Sequence, residues 1–250
     1  MSAVVTTQRI AEASPRFQAR MAGAIAWITT TSGFAAIVSG GLVVYDNAAT
    51  TAHNILAHET LFRLAVAGDV IGLLYIVYTL LLYNVFRPVN KSLSLLAAFF
   101  SLVGCAVGAV DSLLLLAPLV VLQGVPSLSA FPVEQLQAMA LLFLKLHAQG
   151  VNISLVLFGS YNLLIGYLIF RSTFLPRILG VLLAISGLCY LINSFATILA
   201  PAFAAQLLPY ILIPGGAELL LALWLVVFGV NGQRWTEQAS SATRLKEKSR

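Results

Sequence analysis

Five ionisable side chains lie inside long apolar segments of this sequence. They are Asp69, Asp111, Lys145, His147 and Glu218. A charged side chain that faces lipid costs about 2.5–3.5 kcal/mol on insertion scales, so we expect these groups to face the interior of a helical bundle. Carboxylates, an ammonium and an imidazole gathered there could bind a small polar ligand or act as general acid and base.

Six apolar segments run from about residue 21 to 44, 61 to 86, 93 to 122, 137 to 170, 178 to 199 and 207 to 230. Each can cross a bilayer, because about 20 residues at 1.5 Å per residue span roughly 30 Å. Hydrophobic residues make up 60% of the chain and charged residues 9%, which excludes a soluble protein of this length. The sequence predicts an all-α bundle of six transmembrane helices over residues 21–232. Residues 1–20 form a polar flank and 233–250 a basic tail.

The positive charges predict the orientation. Twelve of the fourteen Lys and Arg residues lie before the first segment, in the second and fourth gaps, or in the tail. The gaps 45–60, 123–136 and 200–206 contain no Lys or Arg. Since cytoplasmic loops are rich in Lys and Arg, both termini are predicted in the cytoplasm. The basic residues would contact anionic lipid headgroups, so no nucleic-acid partner is expected.

In this orientation the five ionisable groups, from four helices, fall in the outer half of the bundle. The predicted object is an outward-facing polar pocket formed by Asp69, Asp111, Lys145, His147, Asn152 and Glu218. Lys145 is expected to pair with Asp111 or Glu218, the acids at its depth. His58, Glu59 and Arg63 form the predicted rim, where Glu59 and Arg63 are four residues apart and can bridge on one helical face.

Small residues indicate where helices pack closely. Gly104 and Gly108 form one small-xxx-small pair, and Gly159 and Gly166 lie on one face of the fourth segment. Glycines in membrane helices allow two backbones to approach each other, so these four positions are predicted helix contacts.

Several short motifs together resemble one known family. They are Ala19-Arg20-Met21-Ala22-Gly23, the run 59–65 with Asp69, Arg87-Pro88-Val89-Asn90, His147-Ala148 with Gly150, Gly166-Tyr167, the run 175–180, Asn193-Ser194-Phe195, and Glu218 with Trp224-Leu225. This pattern resembles the bacterial membrane-protein family called domain of unknown function 4386, over about residues 20–229. The resemblance implies a bacterial multipass protein and no particular activity. Ser101 and Asp111 depart from it, since a basic residue and an amide would be expected there.

The chemistry leaves three classes of function open. The leading hypothesis is a protein of the bacterial plasma (inner) membrane that binds or transports a small polar or amphipathic ligand. An integral membrane enzyme that modifies a lipid or isoprenoid is the first alternative, and a non-catalytic assembly protein is the second. No catalytic signature is present, and His147 is the only histidine within a span, so neither a metal nor another cofactor is expected. The expected partners are the bilayer and an unidentified small ligand, and homo-oligomerisation is left open.

Overall fold

The computed structural model describes residues 14–124, 126–204 and 216–248, without the side chains of 33–39, 243 and 245–248. This part of the chain is helical and contains no strand, which confirms the all-α class. The α-helices are α1 Pro15–Gly40, α2 Ala48–Ala57, α3 Glu59–Gly72, α4 Tyr75–Phe86, α5 Lys91–Leu122, α6 Val133–Arg171, α7 Arg177–Leu199, α8 Ala217–Val227 and α9 Gly232–Lys248. A short 3-10 helix, Pro126–Leu128, precedes α6.

Four helical stretches within the described residues are long and apolar enough to cross a membrane. They are Glu59–Phe86, Lys91–Leu122, Val133–Arg171 and Arg177–Leu199, and they match the second to fifth predicted segments to within four residues. Helix α8 is apolar but only eleven residues long. The first nine residues of the sixth segment, 207–215, lie outside the described residues, as do Arg9 and Arg250 of the predicted flanks. The count of six spans therefore stays a prediction.

Two local features were not predicted. The second span is interrupted at Leu73 and Leu74, whose N–H groups bond three residues back at 3.1 and 3.0 Å, a tighter turn than an α-helix makes. The first gap contains α2, whose N-cap Asn47 accepts a hydrogen bond from Thr50 N at 2.9 Å. The Thr51 hydroxyl then donates to Val44 O at 2.9 Å, which holds the preceding connection against α2.

The tail is also more structured than its polar composition suggested. Residues 232–248 form α9, and Trp235 is partly buried, with its indole N–H donating to Val85 O at 2.8 Å. The Gln238 side chain accepts from Thr173 N at 3.0 Å. The predicted basic tail, 233–250, therefore contains a helix over its described residues that the sequence did not predict.

The chain divides into two compact units. The larger unit contains residues 1–27, 75–104 and 155–250, and the smaller unit contains 28–74 and 105–154. In the larger unit, apolar side chains from α1, α4, α6, α7 and α8 form the main core. In the smaller unit, a second core consists of Ile55, Phe62, Leu115, Leu119 and Leu144.

Helices α6 and α7 of the larger unit contact each other through glycine. A Cβ atom at Gly166 would lie 2.7 Å from Gly180 O, and one at Gly159 would lie 2.9 Å from Gly187 O. Neither position has room for a side chain, so the close packing expected at Gly159 and Gly166 is present. A Cβ atom at Gly104 would lie 3.1 Å from the Phe158 ring, a further tight contact of this unit.

Gly108 does not behave as predicted. A Cβ atom there would have no described atom within 4 Å, so this glycine is not at a close contact with the helices that the structure describes. The close approach in the smaller unit is at Gly68 instead, where a Cβ atom would lie 2.5 Å from Ser32 O. This contact between α1 and α3 is next to Asp69 in the sequence.

Candidate functional site

Asp111 is turned inward from α5, within the smaller unit. Its exposed fraction is 5%, whereas Val110 and Leu113 on either side of Asp111 and Ser112 are 66% and 64% exposed. One face of the helix therefore presents apolar side chains to the surroundings while the adjacent face buries a carboxyl group. This is the arrangement expected of an acid within a membrane span.

The partner of Asp111 is His147 of α6. The distance between Asp111 Oδ2 and His147 Nδ1 is 2.8 Å, and the imidazole side chain is 18% exposed. With Nδ1 facing a carboxylate, the other ring nitrogen is left to contact a ligand or substrate. The contact is at ion-pair distance but lacks hydrogen-bond geometry, since Nδ1 has no hydrogen-bond partner among the described residues, and part of the ring stays accessible.

Gly150 makes room for this pair. It lies three residues after His147, and three residues return nearly one full turn of an α-helix. A Cβ atom at Gly150 would overlap the Asp111 carboxyl group. The absence of a side chain at residue 150 thus opens a notch on α6 in which the carboxyl group lies beside the imidazole.

A third helix joins through Asp69 of α3. The Ser112 hydroxyl donates a hydrogen bond to Asp69 Oδ2, and it also lies 3.0 Å from Gly108 O of its own helix. Asp111 and Ser112 are consecutive on α5, so Asp69, Ser112, Asp111 and His147 form one connected group. We call these four residues the polar cluster.

The polar cluster contains an unused acceptor. Asp111 Oδ1 is buried and has no hydrogen-bond partner among the described residues. The Ser154 hydroxyl, further along α6, is buried and has no hydrogen-bond partner in the same set. A buried polar atom without a partner costs about 1–3 kcal/mol, so such atoms are unusual in native structures. A donor supplied by a ligand would satisfy Asp111 Oδ1.

Comparison with known proteins supplies the family of the chain. The family model described as Domain of unknown function (DUF4386) matches residues 21–229. The chain belongs to the DUF4386 family. No curated protein and no solved structure matches it. Family membership therefore agrees with the resemblance noted from the motifs, and the chemistry of the DUF4386 chain must be argued from its own residues.

Two of the predicted pocket residues in the smaller unit, Lys145 and Asn152, lie outside the polar cluster of this DUF4386 chain. Lys145 is exposed, and Asp111 pairs with His147, so the predicted pairing of Lys145 with Asp111 is wrong. Lys145 and His147 are two residues apart, which places their side chains on nearly opposite sides of α6. Asn152 is partly buried and donates to Ala148 O of its own helix at 2.9 Å.

The predicted rim is partly assembled. Arg63 Nε donates to Glu59 Oε1 at 2.7 Å, so the predicted bridge between these two residues is confirmed. Gln123, which the sequence did not suggest, donates to the same oxygen at 2.8 Å. His58 is exposed and lies between α2 and α3 as the C-cap of one and N-cap of the other.

Glu218 belongs to the larger unit. It lies in the first turn of α8 and accepts a hydrogen bond from Asn162 Nδ2 at 2.5 Å. Asn162 is 1% exposed, and Tyr190 of α7 is a second hydrogen-bond partner of the glutamate. The convergence of Glu218 with the polar cluster of the DUF4386 chain stays a prediction.

The structure adds Ser112 and Gly150 to the surroundings of Asp111 in the smaller unit, and Asn162 and Tyr190 as partners of Glu218 in the larger unit. The signal for Gly150 was its spacing from His147, which puts both on one face of α6. Within the described ranges, no three His, Cys, Asp or Glu side chains are grouped to hold a metal ion. A cavity of about 360 Å³ lies in the larger unit, and none of the predicted pocket residues lines it.

Proposed function

We propose that this protein resides in the bacterial plasma membrane, crosses it several times, and binds or transports a small polar ligand at the polar cluster. The observation that supports this most is the buried Asp111 Oδ1, which has no donor among the described residues and lies beside a partly accessible imidazole. A ligand that donates N–H or O–H groups, such as a protonated amine or a polyol, matches such an acceptor.

The position of the polar cluster along the predicted spans supports a ligand from outside the cell. The connections 45–60 and 123–136 contain no Lys or Arg, so the positive-inside rule assigns them to the outer face. Asp69, Asp111 and His147 each lie about 10 to 17 Å from that face at 1.5 Å per residue. A ligand entering from the outer side would reach them by about the middle of the bilayer.

The energetic cost of the cluster also favours a function. A bundle needs no carboxyl groups for topology, and apolar replacements of buried ion pairs are often neutral or stabilising. Two acids and a histidine on three helices are therefore expensive if they serve only to hold the helices. Ionisable groups inside membrane spans commonly mark ligand or ion pathways.

Ligand-dependent thermal unfolding of the purified protein in a neutral detergent tests the proposal. A panel of amines, amino acids and polyols should contain a compound that raises the unfolding temperature. The response should be lost in Asp111→Asn and His147→Gln, which change the proposed donor and acceptor pattern. The control Glu134→Gln removes an exposed acid in the first turn of α6 and should respond as the unaltered protein does. A panel without any shift, or an equal shift in Asp111→Asn, would contradict the proposal.

A second function is favoured by one specific observation. A carboxylate 2.8 Å from an imidazole nitrogen is close enough to orient a histidine as general base once a small rotation of either side chain aligns the hydrogen bond. We infer from it, as an alternative, a membrane enzyme in which His147 removes a proton from a lipid or isoprenoid substrate and Asp111 is a positioning residue. The lipid profile of a deletion strain separates the two functions, because an enzyme should leave an altered lipid species. Restoration by the wild-type gene but not by His147→Gln is then expected.

The alternative of a non-catalytic assembly protein has less support than the other two functions. In an assembly protein, the face with Gly104 and Gly108 would be the contact for a partner, but in the larger unit Gly104 packs against Phe158 of the same chain. Gly108, the other half of that pair, has no close contact with the described residues. The two glycines therefore provide no shared surface that favours a partner over the lipid.

A further inference from the structure

The cavity of about 360 Å³ lies where the chain passes from α8 into α9. Its lining consists of Arg16, Phe174, Trp224, Phe228 and the run 229–232, all within the larger unit. The volume is within the range of about 300–1,000 Å³ that small-ligand sites usually have. None of these residues takes part in the polar cluster, so the cavity is independent of the proposed function.

A sharp turn of the backbone forms one side of the cavity. Helix α8 ends at Val227, and Gly229 adopts φ = 66°, a left-handed conformation that terminates many helices. A Cβ atom at Gly229 would lie 3.0 Å from Arg16 Cγ, so the arginine stem packs directly over this glycine. Asn231 then donates its backbone N–H to Phe174 O at 3.2 Å, which holds the turn against the connection between α6 and α7.

Some polar groups near the cavity already have hydrogen-bond partners within the described part of the chain, and one does not. Asn231 Oδ1 already accepts a hydrogen bond from Arg234 N at 3.1 Å and caps α9. This N–H group at the start of the helix therefore has a partner within the chain. Arg20, one turn along α1 from Arg16, donates to Val227 O at 2.9 Å. Arg16 is exposed and forms no ion pair or hydrogen bond with the described residues. Its guanidinium is the free cation at the cavity.

The remaining wall is aromatic. The rings of Trp224 and Phe228 are stacked at a tilt, with centroids 4.5 Å apart, and Phe174 contributes a third ring to the lining. A free guanidinium beside aromatic rings suits a molecule with an anionic end and an apolar body. Guanidinium groups bind phosphate with two parallel hydrogen bonds, a geometry that ammonium groups do not offer.

We propose that this cavity binds the phosphate group of an anionic membrane lipid, with Arg16 as the phosphate ligand and the aromatic rings against the adjoining glycerol and acyl chain. Every element that lines the cavity lies at a predicted cytoplasmic end: the start of α1, the connection from α6 to α7, and the junction of α8 with α9. Arg20, Arg171, Arg177 and Arg234 lie within a few residues of these elements in the sequence. Basic residues at the cytoplasmic face attract anionic lipid, which supplies the headgroup where the cavity needs it.

The test measures thermal unfolding of the full chain in neutral detergent with added phosphatidylglycerol, phosphatidylcholine or inorganic phosphate. Phosphatidylglycerol should raise the unfolding temperature more than phosphatidylcholine does. Arg16→Gln should weaken the apparent affinity for phosphatidylglycerol by about tenfold or more, as expected for loss of a charge-assisted phosphate contact. The matched control Arg87→Gln removes an exposed arginine at another predicted cytoplasmic end and should leave the affinity unchanged.

A second variant keeps the test valid if Arg16→Gln folds poorly. Asn231→Asp places a carboxylate in the lining while aspartate remains a good N-cap for α9, so the protein without lipid should be as stable as before. Repulsion should then abolish the response to phosphatidylglycerol. A full response to inorganic phosphate that Arg16→Gln removes would support the phosphate site and name the free anion as its source. Equal responses to both lipids, or an undiminished response in both variants, would overturn the proposal.

Discussion

The two units surround their carboxyl groups in different ways. In the larger unit, Glu218 is bonded by the neutral amide of Asn162 and has Tyr190 as a second partner. In the smaller unit, Asp111 faces the ionisable His147 with one oxygen and no described group with the other. Neutral donors that fill the acceptors of a carboxyl group describe a structural role. An ionisable partner and an acceptor without a described donor are the features on which the proposed ligand site rests.

The largest loss of stability is expected when the acceptor at Glu218 is removed. This change tests the structural role that the comparison gives to Glu218. In Glu218→Leu, the Asn162 amide keeps its buried position and loses its partner, which should lower the free energy of unfolding by about 1–3 kcal/mol. Glu218→Gln retains an oxygen that can accept from Asn162, so it should cost less than half as much. Thermal unfolding of both variants in detergent measures the difference.

The outcome also decides the role of the charge at Glu218. If Glu218→Gln destabilises the protein as much as Glu218→Leu does, the carboxylate itself is needed and the structural description of Glu218 is wrong. A loss of ligand response in Glu218→Gln, alongside Asp111→Asn, would instead join this residue to the polar cluster, as the sequence predicted.

A somewhat smaller effect is expected at the notch beside Asp111. Gly150→Ala puts a methyl group where the Asp111 carboxyl lies, so the carboxyl group must move away from His147. We expect a loss of about 1–2 kcal/mol, since overpacking of this kind costs 1–3 kcal/mol and alanine regains part of that as a better helix former. Any ligand response at the polar cluster should weaken as well.

Gly72→Ala is the matched control for that change. Gly72 is a helical glycine of the same unit, and a Cβ atom there would have none of the described atoms within 4 Å. The substitution should be neutral or stabilising by up to about 1 kcal/mol, because alanine favours the helix over glycine. Equal losses of stability in Gly150→Ala and Gly72→Ala would show that the notch has no special relation to Asp111.

The sequence predicted the inward orientation of Asp111 but not the identity of its partner. The cost of a charge in lipid is the same for any helix, so burial of the acid between Val110 and Leu113 follows from depth alone. Choosing between Lys145 and His147 requires the rotation of α6 about its axis, which apolar residues on all sides of a membrane helix leave undefined. Gly150 on the His147 face was a signal for that rotation, since glycine in a membrane helix allows another helix to approach, but Gly108 shows that a glycine alone does not establish a close contact.

The helix in the tail was not predicted, for a different reason. Residues 232–248 are polar on average, but Trp235, Ala239 and Ala242 recur at helical spacing and form a narrow apolar stripe. In the structure Trp235 bonds to Val85 O, and Gln238 contacts the connection after α6. The stripe indicates a helix, but partners this distant along the chain cannot be read from local periodicity. The spans, by contrast, were predictable because the bilayer imposes their length.

The smallest effect is expected at Glu59, in the same unit as the polar cluster. Glu59 accepts from Arg63 and Gln123 at 2.7 and 2.8 Å, distances as short as that between Asp111 and His147. The Glu59 and Arg63 side chains are 38% and 53% exposed, so water and salt screen their attraction. Glu59→Gln should therefore change the free energy of unfolding by less than about 0.5 kcal/mol, and the difference should shrink further as salt is added during thermal unfolding. A loss above about 1 kcal/mol that persists in high salt would mean that this pair is shielded from water, and Glu59 would then have to be counted with Asp111 among the charges that the smaller unit holds at a cost.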